Sequence, residues 1–367
     1  MGSAWHLVTG EYPPGSGGVG EYTALLARAL AGRGRPVHVW APAGGGSADG
    51  VEVHAVGRFQ GPGLRGLDAA LERTPAPRTL LVQYAPQAYG RRGMNVAFCR
   101  WVLRRSRRGD EVRVMFHEPF VQWSARHPRR NVLAAATRAM AWLLLRAARV
   151  AYVSTPAWER LLRPLAGGRS MPWLPIPSTV PRVEDAAGVA EIRGRLGGGP
   201  VVGHFGTYGG HVAPLLEQAL LSTLAASPAA ALLLGAGGPE FAARLERAHP
   251  ALAGRLVAPG RQAPGALSLH LQACDVALQP YPDGVTARRT TAMAALANGV
   301  ALVTMDGTFT EPQWRGLPLA DGPEAMAATA LRLLGDPRLR RRAAADGLAL
   351  YEREFSMDRT LRVLEGR

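Results

Sequence analysis

The chain has 367 residues, 47% of them hydrophobic and 19% charged, a balance that excludes a disordered polyampholyte and fits two globular units of roughly 150 to 200 residues. All 43 basic residues are arginine, giving a formal net charge of +15, and the lack of lysine excludes Schiff-base, pyridoxal-phosphate and P-loop chemistry. The two cysteines, Cys99 and Cys274, are too far apart in sequence to suggest a disulfide framework or a cysteine-rich metal site.

In chain order, short apolar runs alternate with helical periodicity. AWHLVTGEY (4–12) reads as a buried strand, 19–33 as a helix and PVHVWAPA (36–43) as a second strand, which is a βαβ beginning. The alternation continues through strand 79–86, helix 94–107, strand 112–120, helix 131–147 and strand 149–156. Continuous apolar runs of this kind suit parallel strands covered on both faces. Between 175 and 200, Pro and Gly punctuation replaces periodicity, marking a boundary. The scheme then repeats: strands near 200–208, 231–238, 255–260, 275–281 and 301–307, with helices between them and a helical tail over 323–367. The expectation is an α/β protein of two doubly wound, Rossmann-like units, 1–180 and 198–349, with a last helix of about 350–367 packing back on the first. In such sheets ligands sit beyond the carboxyl ends of the strands. Two facing units would set those loops around one cleft.

The N-terminal residues lack the basic head and long apolar stretch of a secretory signal. The most apolar segment, 131–153, is broken by Arg138, Arg146 and Arg149, whereas a membrane span needs about 20 nearly uncharged residues. A cytoplasmic protein is expected. Residues 91–149 hold 14 arginines against Asp110, Glu111 and Glu118. That excess fits either a solvated helix face or an anionic partner, including peripheral contact with the inner face of a membrane. No nucleic-acid-binding motif accompanies it.

Several segments carry candidate chemistry. PPGSGGVG (13–20), with Gly17 and Gly18, could bring backbone N–H groups to a phosphate at a helix start, hold a dinucleotide, or be a structural turn. The dinucleotide reading lacks an acidic residue at the end of the second strand, which closes Val39, Trp40, Ala41, Pro42. FHEPF (116–120) puts His117 and Glu118 at a strand's carboxyl end, where catalysis competes with a structural histidine. Gln83 and Tyr84, ending the preceding strand, suit acceptor hydroxyls or core packing equally. In QPYPDGVTARRTT (279–291), Asp283 lies in a loop and Arg288, Arg289, Thr290 and Thr291 open an Ala-rich helix. Guanidinium forks and hydroxyls beside a helix N-terminus make an anion site suited to a diphosphate leaving group; exposed arginines with a capping threonine are the alternative. Gly206, Thr207, Gly237 and Arg261 follow strands of the second half, where a nucleotide would lie. No DxD, HExxH or paired His/Cys spacing nominates a metal.

With those motifs in place, the chain resembles glycosyltransferase family 4 over nearly its whole length. YPPGSGGVGEY is similar to the family's Gly-rich loop, FHEPF to its histidine segment, and GHFGTYGG, LLLGAGGPE, LHLQACDVALQPY and AALANGVALVT follow in family order. GTFTE, with Glu311, resembles the loop after the last strand, and YEREFSMDRTLRVLEG the closing helix. The resemblance implies the GT-B architecture and transfer of a sugar, metal-free and with retention, from a nucleotide-diphosphate sugar co-substrate. The acceptor would be a small molecule, a glycan or a lipid-linked hydroxyl, with His117 contacting the donor sugar. The sequence departs at the family's two glutamates, where Thr286 and Ala294 stand, and at its Arg and Lys, which fall near Thr207 and Gly209. A nucleotide-sugar epimerase and a non-catalytic nucleotide-sugar binder are therefore the competing expectations.

Overall fold

The computed structural model describes residues 3–366 except residue 16, with only the backbone of Arg91. It contains two compact units: residues up to Ile176 together with those from Thr360 onward, and Pro177–Arg359.

The first unit is built on a seven-stranded sheet. Its strands are β1 (Ala4–Thr9), β2 (Val37–Ala41), β3 (Gly46–Ala48), β4 (Val51–Ala55), β5 (Arg78–Tyr84), β6 (Glu111–Phe116) and β7 (Val150–Val153). Their order is β3-β4-β2-β1-β5-β6-β7, all parallel except the β3–β4 pair. The chain reverses its direction of travel across the sheet between β1 and β5, which creates the crevice where doubly wound folds bind ligands. Leu80, Val82, Val112 and Val114 form one core face with Phe98, Trp101 and Leu144 from the helices Val96–Arg107 and Pro128–Ala147. Each such side chain contributes roughly 1.5–3 kcal/mol by leaving water.

The arginine-rich stretch is partly consumed inside this unit. Arg105 is wholly buried and ion-paired to Asp110 at 2.6 Å, to Asp68 at 3.1 Å and to Glu72; Asp110 also receives Arg78 at 2.7 Å. Arg113 pairs with Glu111 and donates to the Leu364 carbonyl, tying the last helix, Met357–Glu365, to β6. Arg138 lies over the rings of Phe120 and Trp123. The exposed remainder includes Arg100, Arg104, Arg107, Arg129 and Arg130.

The second unit carries β8 (Val201–Phe205), β9 (Ala230–Leu234), β10 (Leu256–Gly260), β11 (Val276–Gln279), β12 (Ala301–Met305) and β13 (Leu319–Ala320). They form one parallel sheet in the order β10-β9-β8-β11-β12-β13, with the reversal between β8 and β11. The 175–200 stretch is not merely a linker. It holds a helix, Ala186–Arg195, whose start is capped by Asp185 accepting from the Gly188 amide at 2.9 Å. None of that helix's residues is buried, so it has no apolar stripe for periodicity to reveal. Among the described residues no helix is long and apolar enough to cross a membrane.

Candidate functional site

In the first unit, His117 follows β6 and Gln83 is the penultimate residue of β5. Their side chains meet, with His117 Nε2 donating to Gln83 Oε1 at 2.7 Å. Tyr22, from the helix Gly18–Gly32, presents its ring edge-on to the imidazole at 5.2 Å. The His117 backbone is held as firmly: its N–H donates to the Tyr84 carbonyl, and its own carbonyl accepts from Ser154 Oγ and Trp158 Nε1. Gln83 and Tyr22 thus hold the imidazole, and Tyr84, Ser154 and Trp158 hold its backbone, at the carboxyl end of the sheet, as a positioned catalytic or binding group requires.

Two acceptor-side expectations are corrected here. Tyr84 is wholly buried and packs on Phe116 and Tyr89, because strand alternation turns it into the helix-covered face. Gln83 is equally buried, and its carbonyl oxygen is engaged by His117, so it positions the imidazole rather than meeting an acceptor. Glu118, half-buried, lies next in the chain with its amide 3.4 Å from the Tyr84 carbonyl.

The Gly-rich loop is also corrected. Gly17 precedes and Gly18 opens the helix Gly18–Gly32, but the first-turn amides of Val19 and Gly20 already donate to Glu11 Oε1, at 2.9 and 3.1 Å. A carboxylate of the chain itself sits where a phosphate was expected. A Cβ on Gly17 would lie 2.3 Å from the Glu11 carboxyl, so this glycine is needed for Glu11 to dock.

In the second unit, the loops after β8 and β9 cross closely. Gly235, at φ 116°, presses on the Gly206 carbonyl, and a side chain there would come within 2.2 Å of it. Gly237 faces Thr207 and the Tyr208 ring. The recurrent glycines therefore serve loop packing in the first place. Thr207, after β8, and Arg261, after β10, are exposed.

The 279–291 segment forms a connected polar network. Gln279, buried at the end of β11, donates to the Phe205 carbonyl at 3.0 Å and accepts from Tyr281 Oη and Thr291 Oγ1 at 3.3 and 3.4 Å. Tyr281 Oη and Thr291 Oγ1 are 2.6 Å apart. Burial pushes the Tyr281 phenol up to about 12, against the pull of Thr291 and Arg289, so it stays neutral. The Arg289 guanidinium stacks 4.7 Å from the Tyr281 ring centroid. Arg289 is the N-cap of the helix Thr290–Ala297, whose start has no side-chain cap. Thr290 is half-buried in the first turn and Arg288 exposed just before it. Asp283 is exposed in the loop, and its carbonyl accepts from the Phe309 amide at 2.9 Å. Glu311 is buried, its Oε2 accepting from the Ala287 amide at 2.7 Å and from Trp314 Nε1 at 3.2 Å. These contacts brace the arginine loop through the Ala287 amide.

The sequence patterns pass over three features: Glu11, the Gln279–Tyr281 pair, and a cluster of His38, Glu52 and His54 in the first sheet. The last is a group of potential metal-ligating atoms that motif spacing does not reveal. Its signal is the period-two spacing in HVW and EVH, which places Glu52 and His54 on one face of a strand beside His38.

Residues 16–169 match the family model for Glycosyltransferase Family 4. That match lies within the first unit and points to the transferase class of enzyme. Searched against curated protein sequences, the chain finds no match. Among solved structures it is similar to Anabaena Alr3699/HepE in complex with UDP, at 17% identity and TM-score 0.68, over 99% of this chain and 98% of that one. It is also similar to sucrose-phosphate synthase from Thermosynechococcus elongatus, at 16% identity, TM-score 0.67, and 99% and 98% coverage. A glycosyltransferase from Rickettsia africae matches at 11% identity and TM-score 0.72, over 100% and 98%. At such identities the likeness establishes the fold, that of GT-B glycosyltransferases.

Proposed function

We propose that the chain transfers a sugar from a nucleoside-diphosphate sugar to an acceptor hydroxyl, with the diphosphate held on the second unit by Arg288, Arg289, Thr290 and Thr291. The observation that carries this reading is Arg289 at the uncapped start of the helix Thr290–Ala297, seated on Tyr281 and next to a Thr291 already ordered by Gln279 and Tyr281. As the glycosidic bond breaks, negative charge grows on the departing phosphate. Preorganised guanidinium and hydroxyl donors stabilise that charge without reorganising at the moment of reaction. That HepE is complexed with UDP and with UDP-glucose supports a uridine nucleotide as the first donor to try.

In this reading His117, fixed by Gln83, contacts the sugar, and Asp283 binds its hydroxyls. Glu118 serves the acceptor side, while Thr207, Gly206, Gly237 and Arg261 border the nucleotide. Metal-free transfer with retention completes it. Incubation with UDP-glucose and a panel of hydroxyl acceptors should release UDP and give a product whose anomeric configuration, read by NMR coupling, matches the donor. The rate should be unchanged in EDTA once the fold is verified. Inverted product would overturn the retaining step alone, and absence of release with every donor would overturn the transferase reading.

A second reading, a nucleotide-sugar binder without turnover, draws support from Ala294, wholly buried where the family resemblance expects a glutamate. It predicts donor affinity by calorimetry with no UDP release. An epimerase would alter the sugar and keep the nucleotide.

A further inference from the structure

The geometry points to a divalent d-block cation site in the first unit, formed by His38 Nδ1, His54 Nε2 and Glu52 Oε2. The register places His38 of β2 directly beside Glu52 of β4, with His54 two residues further along β4 on the same face. One atom from each residue converges: His38 Nδ1 to His54 Nε2 is 3.2 Å, His38 Nδ1 to Glu52 Oε2 is 3.3 Å, and His54 Nε2 to that same Oε2 is 3.7 Å. A tetrahedral zinc-like ion about 2.0–2.1 Å from each ligand sets neighbouring ligands about 3.4 Å apart. The observed triangle is close to one face of that tetrahedron. Ring N–H groups could hydrogen-bond along at most two of its edges at once, whereas a cation would take all three lone pairs together.

The rings are preset. His6 of β1, wholly buried, stacks on His38 at 4.9 Å with 10° between planes, and accepts from Trp40 Nε1 at 3.2 Å. Trp40 stacks on His54 at 4.1 Å. Outer-layer contacts of this kind hold ligand imidazoles in one orientation. Two nitrogens and one carboxylate oxygen form a donor set that suits zinc, cobalt or nickel better than magnesium or calcium. His38 and His54 keep partial exposure and Glu52 is 56% exposed at its side chain, leaving a path for entry and room for a water as the remaining ligand. The cluster sits on β2 and β4, three and four strands across the sheet from β6, whose carboxyl end carries His117. The site therefore clamps the β4 edge to β2 and does not supply the transfer chemistry.

Titration of the EDTA-treated full chain with zinc chloride, followed by calorimetry and by thermal unfolding, tests the site. One equivalent should bind and raise the unfolding temperature, and cobalt chloride should give the visible d–d absorption of a tetrahedral complex. His38→Ala and His54→Gln should each weaken binding at least tenfold, while His249→Ala, elsewhere in the chain, leaves it unchanged. Glu52→Gln keeps the volume of an exposed side chain and should weaken binding with the fold intact, so a folding failure in the histidine variants does not spare the claim. No stoichiometric binding, or binding that survives Glu52→Gln and His54→Gln undiminished, overturns it.

Discussion

His117 Nε2 donates to Gln83 Oε1 at 2.7 Å, which sets the ring's tautomer from a buried position on the neighbouring strand. Replacing Gln83 by Leu should leave the chain folded and lower turnover about 10-fold, with His117→Ala lowering it further. Gln83→Glu puts a carboxylate beside the ring, which favours the imidazolium and raises the histidine pKa. The acid limb of the pH–rate profile should therefore move to higher pH in that variant, a displacement that a merely structural glutamine would not produce.

Glu11 caps the helix Gly18–Gly32 from outside it. Truncating it to Ala leaves two amides to water and removes a charge at the positive helix end, so Glu11→Ala should cost about 1 kcal/mol. A lower urea midpoint at unchanged slope would show this. Stability equal to the parent would mean that the carboxylate is not docked in solution.

Arg105, fully buried, depends on Asp110 for its most enclosed ion pair. Asp110→Ala strands both Arg105 and Arg78 without that partner and should cost about 3 kcal/mol or more. Equilibrium denaturation reads the loss; a change below about 0.5 kcal/mol, the scale of an ordinary surface substitution, would contradict the buried cluster.

His204 is buried in β8 with Nδ1 donating to the Leu278 carbonyl at 2.8 Å, and burial lowers its pKa to about 4 against the partial opposition of that hydrogen bond. The unfolded chain takes up this proton near pH 6.5, before the folded chain does. Stability from the neutral ring is thus complete above about pH 6.5 and drains away as pH falls toward about 4. Denaturation free energies measured across that window should fall with acid in the parent and fall less steeply in His204→Leu, whatever that variant's absolute stability.

Ten of the strands, all but β3, β4 and β13, were legible as short, mainly apolar runs. β3, β4 and the helix Gly61–Glu72 were not, since the Gly- and Pro-rich 43–63 stretch masks a three-residue strand and a short alternating one. The residue types of the 279–291 loop were enough to raise the expectation of an anion site, and the structure adds that Tyr281 orders Arg289 and Thr291 there. Three-dimensional competition could not be read from residue types. Nothing in PPGSGGVG reveals that Glu11, outside the motif, takes the helix amides, and alternation separates Gln83 from Tyr84 without saying which of the two faces holds a ligand. The His38–Glu52–His54 cluster needed strand register, which no local window contains.

Binding of UDP, GDP and dTDP to the parent, Arg288→Ala and Arg289→Ala chains by calorimetry bears most directly on the diphosphate site. One nucleotide should bind the parent, each substitution should weaken it at least tenfold with circular dichroism unchanged, and turnover should drop about 10²-fold. Equal affinity in all three folded proteins would leave the leaving group without its proposed anchor and contradict the account.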